Sequence, residues 1–413
     1  MSLAIISVCA LALAVLVSCV SKLNVGVLAL ALAWIVGVYI GGLPVNTVMG
    51  AFPSQLFLTL TGVTLLFALA QSNGTLERLT HHAVGVCRGN RGMIPVMFFL
   101  LGVALASMGP GNISTAALLC PLAMATATRA GIPLFLMSIM VGNGANAGAL
   151  SPFAPTGIIV NGLMARNGLD GLEWQTYAYN LLAHATVAFG GYALFGGLRL
   201  FGGGPVSAAE LADGSDPGQF KRRHWITLGV IGALILSVVF ARVNVGMAAF
   251  VGAVVLVLSK SADDGEAFKR MPWRVIVMVC GVTVLISLVE RAQGLDLIVS
   301  LVARIASAKT VTGVIAFVTG IVSVYSSTSG VVLPAFLPMV PGLVARLPGA
   351  SAIGIATSMN VGGHLVDLSP LSTLGALCIA GAAADESRAL FNKLLAWGLS
   401  MAVVGAVLCS ILF

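Results

Sequence analysis

The sequence predicts an all-α polytopic membrane protein of two inverted repeats, each with five transmembrane helices and one re-entrant hairpin, and with broken helices at the midplane. Three observations carry this expectation. Of 413 residues, 58% are hydrophobic and only 8% charged, too few polar side chains to cover a water-soluble surface. Apolar stretches of about 18 to 20 residues recur along the chain, each long enough to cross a hydrocarbon core as a helix. Finally, the chain repeats itself: Asn24-Val25-Gly26 returns as Asn244-Val245-Gly246, and Gly62-Val63-Thr64 returns as Gly281-Val282-Thr283. Pro121 with Pro338, Ser151-Pro152 with Ser369-Pro370 and Gly157 with Gly375 continue the match with only small indels, the mark of duplication. Residues 1–200 and 223–413 are read as the repeats, joined by a linker at 201–222.

The elements of the first half follow in order. Residues 3–20 have no basic region before them and no small-residue cleavage site after them, so they read as a retained span. Spans at 25–42 and 54–72 precede a basic amphipathic connector at 75–92. Met93 to Thr128 is apolar at both ends, but its centre, Ser107-Met108-Gly109-Pro110-Gly111-Asn112-Ile113-Ser114-Thr115, is rich in helix breakers and hydroxyls. Two helices meeting at a polar tip fit that pattern better than one through-going helix. Pro133 to Met164 is too long for one span and is interrupted from Asn143 to Gly157, which predicts a broken helix. A span at 175–198 closes the half. The second half repeats this with a tip at Tyr325 to Gly330 and a break at Asn360 to Thr373.

Five spans per half is an odd number, so the second half enters the membrane inverted. With both ends of the first hairpin inside, 15 of the 21 Lys and Arg residues, Arg274 among them, fall on the cytoplasmic side. That agrees with the positive-inside rule, places both termini outside and the linker in the cytoplasm, and suits a bacterial inner membrane. The net charge of +7 comes from short clusters between apolar runs without interleaved aromatics, which argues against nucleic acid as a partner. The seven cysteines are scattered, with no CxxC pair and no His at ligand spacing, so they read as helix packers and no cofactor is expected.

Irregular backbone at membrane depth is costly unless it lines a cavity. The two tips and two breaks are therefore the candidate site. Helix N-termini there offer free N–H groups to an anion, while hydroxyls, carbonyls and amide oxygens suit a hard cation. The expected substrate contacts are Asn112, Ser114, Thr115, Asn143, Asn146, Thr156, Thr328, Ser329, Asn360 and Thr373. The expected ligands for Na⁺ as coupling ion are Ser107, Asn112, Gly144, Ser327, Ser329 and Gly362. Single Ser, Thr, Gly or Asn residues in membrane helices more often serve packing; the argument rests on their clustering with Pro in both halves. His364 and Asp367 are the only ionisable side chains in the predicted breaks and become the proton carriers if H⁺ replaces Na⁺. His184 reads as a helix–helix contact, and His81 and His82 as solvated. No Arg or Lys falls in the breaks, so a small anion would be held by N–H groups, hydroxyls, Asn side chains and the cation.

These residues resemble the divalent anion/sodium symporter fold of the ion-transporter superfamily, and within it the dicarboxylate carriers of the MatC type. That fold carries Ser-Asn-Thr at each hairpin tip with Pro nine positions after the Asn. Here Asn112 precedes Pro121 by nine but is flanked by Gly111 and Ile113, and Thr328-Ser329-Gly330 stands nine before Pro338. Leu43-Pro44, Gly62-Val63-Thr64-Leu65-Leu66-Phe67 and Asn73-Gly74-Thr75 are similar to the N-terminal region of MatC carriers. The resemblance implies a homodimer in the lipid bilayer, an elevator-type motion, and dicarboxylates such as malonate, malate or succinate as substrates of cation-coupled symport. The alternatives are a Na⁺/H⁺ antiporter or inorganic-anion carrier of the same superfamily. An intramembrane serine hydrolase using Ser329 and His364 is remote, because no GxSxG or HExxH motif accompanies them.

Overall fold

The computed structural model describes residues 2–21, 23–79, 90–202, 219–241 and 243–413. Residues 203–218 of the expected linker and the connector residues 80–89, with His81 and His82, lie outside the described residues. Everything described is helix, turn or loop, without a strand. Among the described residues, seven helices are long and apolar enough to cross a membrane.

The first half contains α1 (Leu3–Val20), α2 (Val25–Trp34, continued by a π-helical stretch Ile35–Ile40), the short α3 (Val45–Gly50) and α4 (Ser54–Ser72). Then come α5 (Met93–Met108), α6 (Gly111–Ala130), α7 (Leu134–Gly148), α8 (Pro155–Arg166) and α9 (Glu173–Leu194). The second half contains α10 (Arg222–Ala241), α11 (Val245–Leu258), α12 (Asp264–Arg270), α13 (Trp273–Arg291), α14 (Gly294–Ile305) and α15 (Val311–Tyr325). A π-helical turn, Thr328–Val332, leads into α16 (Val340–Arg346), α17 (Ala352–Leu365), α18 (Thr373–Ala380) and α19 (Ala384–Leu412).

The repeated Asn-Val-Gly motif now has a local cause. Asn24 Oδ1 caps α2 by accepting from the Gly26 N–H at 2.9 Å, and Asn244 Oδ1 caps α11 by accepting from the Gly246 N–H at 3.0 Å, each satisfying an orphan helix-end donor. The glycines then let backbones touch. A Cβ on Gly26 would lie 2.2 Å from Val277 O and one on Gly281 2.1 Å from Gly26 O, while one on Gly62 would lie 2.4 Å from Gly246 O. Thus α2 crosses α13 and α4 crosses α11, each crossing pairing an element of one half with one of the other.

Both predicted breaks are present, each confined to the later part of its expected interval. Asn143, Gly144 and Asn146 stay inside α7, and Asn360 and Gly362 inside α17; the chain turns only at 149–154 and 366–372. Weak helix formers did not end these helices because tertiary packing holds them. Asn143 Nδ2 bonds back to Ile139 O at 2.9 Å. A Cβ on Gly144 would lie 2.4 Å from Phe99 O of α5, and one on Gly362 2.3 Å from Ala316 O of α15. The turns come at Ser151-Pro152 and Ser369-Pro370. After each, a glycine, Gly157 or Gly375, sits where a Cβ would be 2.0 or 2.1 Å from the carbonyl of Ser151 or Ser369.

Two apolar clusters organise the molecule. One joins α1, α2, α4, α8, α10, α11, α13 and α14 with residues 331–347 and the first turns of α15 and α17. The other joins α5, α6, α7, α9, α18 and α19 with the later parts of α15 and α17.

Candidate functional site

Where the two clusters meet, a polar cavity of about 270 Å³ opens. Its wall includes Asn112 and Ile113 of the first tip, Tyr325 to Ser329 of the second, His364 before the second break, Asp367, Leu371 and Ser372 within it, and Thr373 and Leu374 just after it. Ser21, Leu23, Val25, Arg274 and Met278 face these from the other cluster.

Much of this wall comes from helix beginnings. Val25 opens α2, Asn112 lies in the first turn of α6, Arg274 in that of α13, Thr328 opens the π-helical turn, and Thr373 opens α18. Each helix start carries unpaired N–H groups and roughly half a positive charge. With the Arg274 guanidinium, this makes an environment for an anion. Just past the C-terminal end of α17, Asp367 enters the same wall. The Thr328 hydroxyl donates to Asp367 Oδ1 at 2.6 Å and contacts the Ser323 hydroxyl. The Ser372 hydroxyl bonds to Asp367 O. His364 Nδ1 bonds to Asn360 O at 2.8 Å. The cavity therefore pairs an electropositive wall with a carboxyl that can take a cation or a proton.

Of the residues predicted from sequence, the cavity brings together Asn112, Ser327, Thr328, Ser329, His364, Asp367 and Thr373. The first half's own tip and break are closed on each other. Ser151 Oγ donates to Ser107 O at 2.7 Å, and Ser107 Oγ pairs with Tyr177 OH at 2.8 Å. Asn146 stands behind the wall, accepting from Asn112 Nδ2 at 2.8 Å and donating to His364 O at 3.3 Å. Asn143 Oδ1 pairs with His184 Nδ1 at 2.9 Å, so His184 is the helix–helix contact expected of it. Thr115, Thr156 and Asn360 are buried away from the cavity. Ser114 faces a small crevice beside Phe67 and Arg270. Gly144 and Gly362 are consumed by helix packing, as shown above.

The breaks hold no Arg or Lys, but Arg274 reaches the cavity from another helix. It was counted among the cytoplasmic loop charges, yet it stands one residue inside α13 and lines the cavity. The repeat held the signal: Pro272-Trp273-Arg274 corresponds to Pro53-Ser54-Gln55, a polar residue at the same helix start in both halves and charged in one.

Comparison with known proteins adds two findings. Residues 1–149 match the family model of the dicarboxylate carrier protein MatC N-terminus, in line with the resemblance read from the residues. Among solved structures, the YdaH transporter of Alcanivorax borkumensis, described as having an unusual topology, is similar with a TM-score of 0.62 at 18% identity, over 88% of this chain and 87% of that chain. At that identity the likeness is one of fold. A search of curated proteins finds no match. The chain is thus a multi-pass membrane protein with a transporter's fold.

Proposed function

We propose that this protein is a secondary active carrier of small dicarboxylates, of the malonate, malate and succinate class, working by cation-coupled symport. The observation that carries the reading is the convergence of helix N-termini, Arg274 and Asp367 on one cavity. A dicarboxylate brings two negative charges, and this wall offers N–H groups, the Thr328, Ser329 and Thr373 hydroxyls, the Asn112 amide and one guanidinium suited to bidentate carboxylate binding. The N-terminal match to a dicarboxylate carrier family supports the substrate class, and supports transport over an intramembrane hydrolase.

The cavity at the seam of two apolar clusters supports an elevator-type mechanism, in which α5, α6, α7, α9, α18 and α19 move with the substrate against α2, α4, α11 and α13. Substrate anchored by Asn112 and Thr373 would then part from Arg274 as the site travels, so Arg274 acts at one end of the stroke. On this reading the halves are inverted, both termini face the outside of a bacterial inner membrane, and the carrier works as a homodimer. Na⁺ is the proposed coupling ion, with the Ser327 and Ser329 hydroxyls and Asp367 as oxygen donors. A second reading, in which Asp367 carries a proton instead, is supported by its being the acidic side chain in the cavity wall.

The test is uptake of radiolabelled malonate, malate and succinate into proteoliposomes with Na⁺ and H⁺ gradients imposed separately. Sodium-driven uptake that falls with Asn112→Ala supports the symporter. Uptake driven by H⁺ alone moves coupling to Asp367, and no uptake under either gradient refutes the dicarboxylate assignment.

A further inference from the structure

A second feature lies away from the cavity and is independent of the transport reading. α10 leans mainly on α11, and their facing sides do not close. Between them runs a groove of about 600 Å³, walled by Ile226, Ala233 and Ser237 on one side and Ala248, Val251 and Val255 on the other. The Ser237 hydroxyl is turned back onto Leu234 O at 2.8 Å, so the wall is apolar. Small residues make the gap: no atom lies within 4 Å of where a Cβ on Gly229 would stand.

One end of this groove is strongly basic. Lys221, Arg222 and Arg223 are exposed at the start of α10, about one helical turn before Ile226, and Lys260 is exposed just past the end of α11. Asn73 fixes these two ends together, donating to Thr227 Oγ1 at 2.8 Å and to Ser261 O at 3.2 Å. Trp225, exposed beside the cations, is the kind of residue that sits at headgroup level. Asp263 and Asp264 follow Lys260, but Asp263 Oδ1 is engaged in capping α12 through the Glu266 N–H at 2.9 Å.

We propose that this groove holds one acyl chain of an anionic phospholipid whose phosphate is bound by Lys221, Arg222 and Arg223. The pairing of a basic mouth with an apolar slot between membrane helices matches both parts of such a lipid. A second copy of the chain fits less well. A two-fold axis along the membrane normal would bring this basic end against its own copy, where the like charges repel.

The test is native mass spectrometry of the full-length protein in detergent, with phosphatidylglycerol, cardiolipin and phosphatidylcholine of matched chains. Phosphatidylglycerol or cardiolipin is retained over phosphatidylcholine. The variant Lys221→Gln/Arg222→Gln/Arg223→Gln loses that preference by about fivefold or more, since each surface cation contributes separately to anionic-lipid attraction. Gly229→Leu, or Ala233→Val if the first variant does not elute as a folded species, lowers anionic-lipid retention by filling the slot. Equal retention of phosphatidylcholine, or full retention in both kinds of variant, overturns the proposal. So does a groove variant that dissociates a dimer while leaving lipid retention unchanged, which would identify the groove as a self-association face.

Discussion

Arg274 and Asp367 divide the work of the proposed site between them, and their variants are expected to fail differently. Arg274→Gln removes a charge-assisted contact worth about 1.5–3 kcal/mol, so KM for dicarboxylate uptake rises roughly tenfold to a hundredfold while uptake remains coupled. Arg274→Lys recovers part of that loss because it keeps the charge without the planar fork. Asp367→Asn is expected to abolish gradient-driven accumulation but to leave exchange of internal for external substrate, measured by counterflow. The glycines were harder to read. Gly144 and Gly362 look like cation ligands in sequence because they sit among Asn and Ser residues. Only the structure reveals Phe99 O and Ala316 O 2.4 and 2.3 Å from their added Cβ positions. Each Gly→Leu change therefore forces adjacent helix backbones apart at a cost of about 1–3 kcal/mol or more, seen as a lowered melting temperature in detergent. Gly229→Ala, with open space at its Cβ, is expected to leave it near wild type.

At the level of elements, spans were legible from length and apolarity, and the hairpin from Gly109-Pro110-Gly111, where φ of 140° and 76° at the two glycines makes the reversal. The breaks were legible in kind, and in position only as intervals. Composition shows where a helix is weak, whereas the neighbours α5 and α15 decide whether it stops. The structure also joins elements from different halves: Cys120 of α6 and Cys378 of α18 have their sulfurs 3.4 Å apart. Both helices belong to the cluster proposed to move. Oxidation by copper phenanthroline is thus expected to cross-link this pair, read as an altered mobility of the split chain, and to leave uptake intact. By contrast, Gly330, whose added Cβ would lie 2.0 Å from Met278 Cε, packs on α13 at the edge of the cavity, whose wall includes Met278 and Ser329. Cross-linking Met278→Cys to Gly330→Cys is expected to stop uptake until the bond is reduced.

The whole molecule explains why the site could be located in sequence only as a set of neighbourhoods. Duplication marks two tips and two breaks as equivalent. In the fold they are not: one half's set is closed by Ser107, Ser151 and Tyr177, while the other's lines the cavity and borrows Asn112 across the seam. Which half is open depends on long-range docking of one cluster on the other, and no local pattern encodes that. The same docking brings Arg274, far from any break in sequence, into one cavity with Thr328 and Thr373. The most direct test of this arrangement is substrate protection. Leu371, exposed at the cavity wall, is replaced by cysteine in a background lacking the seven native cysteines, and its labelling by a water-soluble maleimide is timed. Malonate, malate or succinate is expected to slow labelling in a concentration-dependent way, and Arg274→Gln to shift that dependence to higher concentration. Labelling unchanged by any of these while the same protein takes them up in proteoliposomes would place the substrate elsewhere and contradict the account.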